Sequence, residues 1–361
     1  MTFEEFAQHA EAFARDNHEP GTLSLRHLQR LVSGQPIGTL RPATARLLEH
    51  LFGEPITTLL APPTTKTTSD YENSDAELRQ LLDAARRVDQ STITLLYQQL
   101  HAIRRLDRQL GAVIVRDELR TKIQQVERLA THSLAPSTRQ PLAALLSEMH
   151  TLAGWQALDL GHITDSWQHY EQSRSTAAQS DSIAHESHAA AEQAFVLIDT
   201  GATHDAVDLL DHTRCHADAA SPRILRAWLA AAHGEGLAAH GERTASLHAF
   251  DHAAHLLPEN PSDERPYVAL DTIHLARWRG HALARFGDPD ATAVLTNALD
   301  SLDPSFVRAE TALRVDLATA LAASGHHNEA RTHADHAVRL TAQLGSARQR
   351  HRVTTLLATI R

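Results

Sequence analysis

The chain has 361 residues, and its 34 Lys and Arg against 44 Asp and Glu leave a formal charge of −10 before any histidine protonates. With 42% hydrophobic and 22% charged residues the composition is globular rather than disordered, and a single cysteine excludes a disulfide framework or a cysteine-based zinc site. No apolar run approaches the length of a membrane-spanning helix, and the acidic amphipathic start MTFEEFAQHA is unlike a secretory signal, so a cytoplasmic location and no membrane partner are expected.

Only 15 glycines, 14 prolines and 4% aromatic residues point to an all-α protein, because β-rich domains use more aromatic residues and more turns. Arginine supplies nearly all the basic residues, and histidine reaches 26. With abundant alanine, that bias resembles the codon drift of a high-GC genome, so arginine and histidine counts carry little functional weight.

Residues 2–16 place Phe3, Phe6, Ala7, Ala10, Phe13 and Ala14 on one helical face. NHEPGT follows as a turn, and LSLRHLQRLVS (23–33) makes a second helix with Leu25, Leu28, Leu31 and Val32 inward, stopped by Gly34. At 100° per residue, Arg26 and Arg30 share its opposite face, with His27 and Ser33 beside them. A third helix starts at Pro42, and PITTLLAP closes a unit over residues 1–61.

Residues 62–74 (PPTTKTTSDYENS) are polar and aperiodic and read as a flexible linker. Residues 75–134 follow as long connector helices. One stripe is Ile93, Leu96, Leu100, Ile103 and Leu110; another is Leu119, Ile123, Val126 and Leu129. Either the stripes pack on the region that follows or they form a dimerisation segment.

Residues 135–361 carry an internal repeat. Gly161, Gly201, Gly241, Gly287 and Gly325 each end an apolar segment before a polar turn. Small residues recur seven before them (Gly154, Ala194, Gly234, Gly280, Ala318), five after (Ser166, Ala206, Ser246, Thr292, Ala330) and twelve after (Ser173, Thr213, Ala253, Ala337, with Ala298 beside Leu299). Antiparallel helices joined by a short turn approach closely only where both present small side chains, and a glycine suits the C-terminal cap of the first helix. The pattern resembles the tetratricopeptide repeat (TPR), with longer helices and an inserted loop at 257–267. The resemblance implies a TPR-like right-handed α-superhelix of about five helix pairs plus the connector helices.

If the pairs stack in that way, positions 13, 10, 6 and 3 before each glycine face a concave groove. They include Glu148, Thr151, Trp155, His188, Phe195, Trp228, Glu235, His274, Arg277 and His281. Aromatic anchors beside His and Arg suit a peptide or protein ligand; the alternative is that several of these side chains are core between the helices.

The N-terminal unit, three short helices with a basic exposed second helix, resembles a helix-turn-helix domain of the lambda-repressor type. RPATARLLEHLFGEPITTLLAPP is similar to the end of that domain in bacterial regulators. The resemblance puts LSLRHLQRLVSG on the recognition helix. It implies major-groove contacts to double-stranded DNA from Ser24, Arg26, His27, Arg30 and Ser33, with Arg41 and Arg46 on backbone phosphates. The unit's five arginines are outnumbered by seven acids, which leaves open a helical cap or protein-binding module.

The two halves together resemble regulators of high-GC bacteria that join a helix-turn-helix to a TPR-like superhelix. Peptide-pheromone receptors share that architecture more distantly. The resemblance implies a homodimeric transcriptional regulator with a peptide or protein ligand in its groove; the alternative is a TPR interaction scaffold whose N-terminal cap binds no DNA. His248, His252 and His255 share a helix face as weak candidate metal ligands. There is no phosphate-binding glycine loop, HExxH or G-x-S-x-G, so neither catalysis nor a cofactor is expected.

Overall fold

The computed structural model describes residues 2–33, 40–61, 68–217, 221–259 and 265–360, giving only the backbone of 68–74. Among them every regular element is a helix, α1 to α18. The chain divides into two compact units, Met1–Glu77 and Leu78–Arg361.

In the first unit, α1 (Phe3–Asp16) opens with a reciprocal cap. The Glu5 N–H donates to the Thr2 hydroxyl, and the Thr2 N–H donates to the Glu5 carboxylate at 2.6 Å. Helix α2 (Leu25–Val32) is capped by Ser24, whose hydroxyl accepts the His27 N–H. Helix α3 (Pro42–Phe52) begins at a proline and ends on Gly53 at φ +68°; α4 (Ile56–Leu59) is one turn. Ala10, Ala14, Leu23, Leu28, Leu47 and Leu48 form the core. A Cβ on Gly21 would collide with the Ala43 carbonyl, so glycine lets the α1–α2 turn pass against α3.

Three expectations are corrected here. Val32 is 62% exposed rather than inward; burial in this short helix centres on Leu28 and on Leu23 just before it. Phe3, at the first residue of α1, is half exposed. Helix α5 (Thr68–Arg86) makes 68–74 helical rather than linker: a polar, aperiodic stretch lacks an apolar stripe, but a helix can form without one. Residues 62–67 and the Gly34 stop lie outside the described residues; α2 ends at Val32 with Ser33 as its cap.

In the second unit, α6 (Gln90–Leu110) and α7 (Ala112–His132) pack on α8 (Pro136–Asp159). Ile93, Leu100 and Ile103 from one stripe and Leu119, Ile123 and Val126 from the other share a core with Leu142, Leu145 and Met149. Both stripes are thus used within the chain, apart from Leu110 at the exposed end of α6.

Five antiparallel TPR-like pairs follow: α8 with α9 (Ile163–Gln179), α10 (Ile183–Thr200) with α11 (Thr203–His216), α12 (Arg223–His240) with α13 (Arg243–Leu256), α14 (Thr272–Arg285) with α15 (Ala291–Ser301), and α16 (Val307–Ala323) with α17 (His327–Leu344). The five repeat glycines all have positive φ, from +65° to +94°, where an L side chain is strained. Seven residues earlier, Gly154 faces the ring of Tyr170 and Gly234 that of Phe250; a Cβ on either would stand 3.0 Å from ring carbon. The Ser166 and Ser246 hydroxyls donate across the same crossings to the Gly154 and Gly234 carbonyls, each at 2.8 Å. In the fourth pair the register is one residue earlier: Ala291, Leu295 and Ala298 are buried, so Ala291 takes the place expected for Thr292.

The first helices α8, α10, α12, α14 and α16 form a continuous layer. The array also closes on itself, with α16 and α17 against α6, and the last helix α18 (Ala347–Thr359) against α8. Two corners cross there. A Cβ on Gly111, between α6 and α7, would collide with the Leu344 carbonyl; one on Gly345, between α17 and α18, would collide with the Val113 side chain.

Gly111 has φ +83° and ψ 169°, a region used essentially by glycine alone. Gly111→Ala should therefore cost about 1–3 kcal/mol from backbone strain, with the collision added. Gly201→Ala meets open space and should cost only about 1–2 kcal/mol. Urea denaturation of the two variants checks the order; equal losses would mean that the corner is not a tight crossing.

Candidate functional site

The inner layer of the second unit lines a half-open cavity of about 680 Å³. Its walls come from α6, α8, α10, α12, α14, α16 and α18, from Tyr267–Ala269 at and just after the end of the inserted loop, and from Gly161 and Ile163 around the α8–α9 turn. Of the groove candidates, Thr151, Trp155, His188, Phe195, Trp228, Glu235, His274, Arg277 and His281 line it. Glu148 lies behind the wall, 1% exposed, paired with Arg104 at 2.7 Å.

Side chains at −13, −10 and −6 from each repeat glycine follow one helical stripe, and the inner helices bring these stripes together. Position −9 belongs to the same stripe, four residues after −13 and three before −6. It supplies Leu152, Glu192, Trp278 and Asp316 to the cavity, the residues that the choice of offsets missed. Tyr267, Phe306, Arg308, Arg348 and Arg352 lie outside the −13, −10, −6 and −3 positions; they reach the cavity through the loop, the start of α16 and α18.

An aromatic cluster forms one side. Phe195 packs against Trp155, Trp228 and Trp278 with ring centroids 6.5, 6.2 and 5.8 Å away, and the His188 ring is 5.0 Å from Trp228. Trp228 is only 4% exposed and belongs to the main hydrophobic core, so it serves packing as well as the wall. Trp155 and Trp278 are half-buried.

Charged groups form the other side, mostly in pairs. Arg348 grips Asp199 through two hydrogen bonds of 2.5 and 2.7 Å, and Arg352 donates to Asp316 at 2.6 Å. His281 Nδ1 is 2.8 Å from Glu235. Arg308 donates to Asp107 at 2.8 Å and stands 3.6 Å from Asp159. Arg104 and Arg108 lie over the Tyr267 ring, and Arg108 also over Phe306. Burial pushes the Glu148 carboxyl up, but Arg104 and His185 outweigh it and hold it below the usual range.

In the first unit, Arg26, Arg30, Arg41 and Arg46 are all exposed, while His27 is half-buried. The Ser24 hydroxyl is occupied in the α2 cap, and the Ser33 hydroxyl donates to the Arg30 carbonyl at 3.0 Å. His248, His252 and His255 are exposed on α13. Among the described residues no group of three or more His, Cys, Asp or Glu is placed to hold a metal ion, nor is any helix long and apolar enough to cross a membrane.

No protein-family model matches the chain, and no curated protein matches it. Among solved structures, a Podosopora anserina protein described as a kinesin light chain with nearly identical TPR-like repeats is 15% identical, with a TM-score of 0.36; the match covers 54% of this chain and 93% of that one. A Rap protein complexed with competence and sporulation factor is 11% identical, with a TM-score of 0.43; the match covers 99% of this chain and 97% of that one.

Burial raises the Glu192 carboxyl from 4.5 to about 7, although the Tyr170 hydroxyl donates to it at 3.2 Å. A carboxyl whose pKa is higher folded than unfolded makes the folded state the better proton binder, so its contribution to stability falls as pH rises from about 4.5 to 7. Glu192→Gln removes that dependence. Its stability relative to the parent should be near zero at pH 5 and rise to about 2–3 kcal/mol at pH 8. Urea titrations at the two pH values check this; a constant difference would show that Glu192 ionises normally.

Proposed function

We propose that the chain is a cytoplasmic, homodimeric DNA-binding transcriptional regulator whose repeat array accepts a peptide or protein segment. The observation that carries the ligand half is the half-open cavity, in which a cluster of three tryptophans and Phe195 faces a set of ion pairs. Aromatic anchors beside a few oriented polar groups are how concave sites bind chain segments with side-chain selectivity. No arrangement of nucleophile, base and oxyanion donors is apparent in the same wall, so binding rather than catalysis is the reading.

The DNA half rests on α2. Arg26 and Arg30 are one turn apart, and with Arg41 and Arg46 their guanidinium groups make no ion pair or hydrogen bond among the described residues. Such arginines are free to contact guanine edges or phosphates. An eight-residue helix on a unit of net negative charge attracts DNA weakly by itself, which is why the proposal includes a dimer reading two half-sites. The same acidity favours a second reading, an interaction scaffold whose N-terminal unit binds no DNA.

Titrating the full chain against its own upstream region at several salt concentrations separates the two readings. Arg26→Ala and Arg30→Ala should each cost about 1–3 kcal/mol on the specific site and relax base preference. Arg41→Ala should weaken binding evenly across sequences and lower the salt slope by about one. No binding by the parent selects the scaffold; undiminished binding by the Arg26→Ala/Arg30→Ala chain shows that α2 does not read DNA.

A further inference from the structure

Arg277 stands apart from the other charges in the cavity. It lies on α14 beside Trp278, with His274 and His281 one turn to either side. Its guanidinium makes no ion pair or hydrogen bond among the described residues, and its Nε is buried without a partner. The carboxylates that act on it from a distance, Asp316 and Glu235, already have closer partners in Arg352 and His281. Arg348 and Arg352 also act on it, repulsively, and each holds its own aspartate.

A guanidinium has five N–H donors arranged to meet a carboxylate in a fork, and leaving them unmet in a partly buried place is costly. Burial works against the charged form of Arg277. Other arginines of the wall have partners: Arg104 pairs with Glu148, Arg308 with Asp107 and Asp159, and Arg348 with Asp199, while Arg108 donates to the Arg104 carbonyl and lies over Tyr267 and Phe306; Arg104 and Arg308 still leave some buried N–H groups unmet. Arg277 shares the cavity wall with Trp278, the next residue on α14, and with Trp228, whose ring is 6.2 Å from that of Trp278. The cavity thus offers an open anion position against an aromatic wall.

We propose that the cavity selects an acidic peptide, one that places a carboxylate on Arg277 and an apolar side chain against Trp155, Phe195 and Trp278. The carboxylate is an Asp or Glu side chain or the peptide's C-terminus; both present the same two oxygens. The inference rests on the peptide reading of the cavity and specifies its ligand.

The test uses the full-length protein and a random heptapeptide library, synthesised once with free and once with amidated C-termini. Retained peptides are sequenced and resynthesised with each carboxylate replaced by its amide. The expected result is enrichment of carboxylates, a loss of about 10- to 100-fold on replacing one of them, and disappearance of that loss in Arg277→Gln. Arg277→Lys should restore part of it. Because Arg277 makes no hydrogen bond among the described residues, Arg277→Gln should melt no lower than the parent, and such a melt shows that lost binding is not lost folding. Acid and amide forms that bind equally, or an acid preference that persists in Arg277→Gln, overturn the inference and leave peptide binding standing. If no peptide is retained from either library, the peptide reading falls and this inference with it.

Discussion

Arg308 ties the beginning of the repeat unit to its end. It comes from the last helix pair, is 9% exposed, and lies between Asp107 of α6 and Asp159 of α8, which are 3% and 2% exposed. Burying three charges is costly unless geometry and further hydrogen bonds compensate. Here Gln156 donates to Asp107 at 2.9 Å, and the Ser346 hydroxyl donates to Asp159 at 2.6 Å. Removing one member would strand a buried charge, which typically costs about 3–5 kcal/mol. The net contribution of the intact seam is smaller. The closed arrangement places both aspartates against the same guanidinium.

Closure changes what a repeat array can do. In an open solenoid each pair touches only its neighbours, and the inner helices line an open trough. Joining α16 to α6 and α18 to α8 turns that trough into a half-open cavity. The glycines at the two corners are the backbone condition for the closure, since Gly111 and Gly345 have no side chain where the chains cross. Once water is partly excluded, the ion pairs of the wall interact more strongly than they would at a surface.

The helix pairs were legible in the sequence because their causes are local. A glycine with positive φ, a small residue seven before it and a serine five after it belong to one turn and one crossing, all within about twenty residues. The inner stripe was legible by the same periodicity, though incompletely: choosing −10 and −6 without the intervening −9 missed Glu192, Trp278 and Asp316. The early register of Ala291 escaped because a repeat averaged over five turns hides a shift in one. The seam left no local signal. Arg308 and Asp107 are 201 residues apart in sequence, and nothing in either neighbourhood marks it as the partner of the other. Residues 68–74 misled in the opposite direction, since polar composition was taken for absence of structure.

Closure and occupancy of the cavity also share their residues. Asp107, Asp159 and Arg308 hold the two ends together, Arg348 ties α18 to Asp199 of α10, and all of them line the cavity. The aromatic side is different: Trp228 and Phe195 are set in the core of the middle pairs and form a fixed surface whether or not the ends meet. A ligand resting on that surface and touching α18 would therefore bridge elements more than 100 residues apart in sequence. Any part of its binding energy that exists only in the closed arrangement stabilises the closed arrangement by mass action. Because these ion pairs line the cavity as well as join the ends, the seam is the part of this fold on which a ligand of the proposed kind would act most directly.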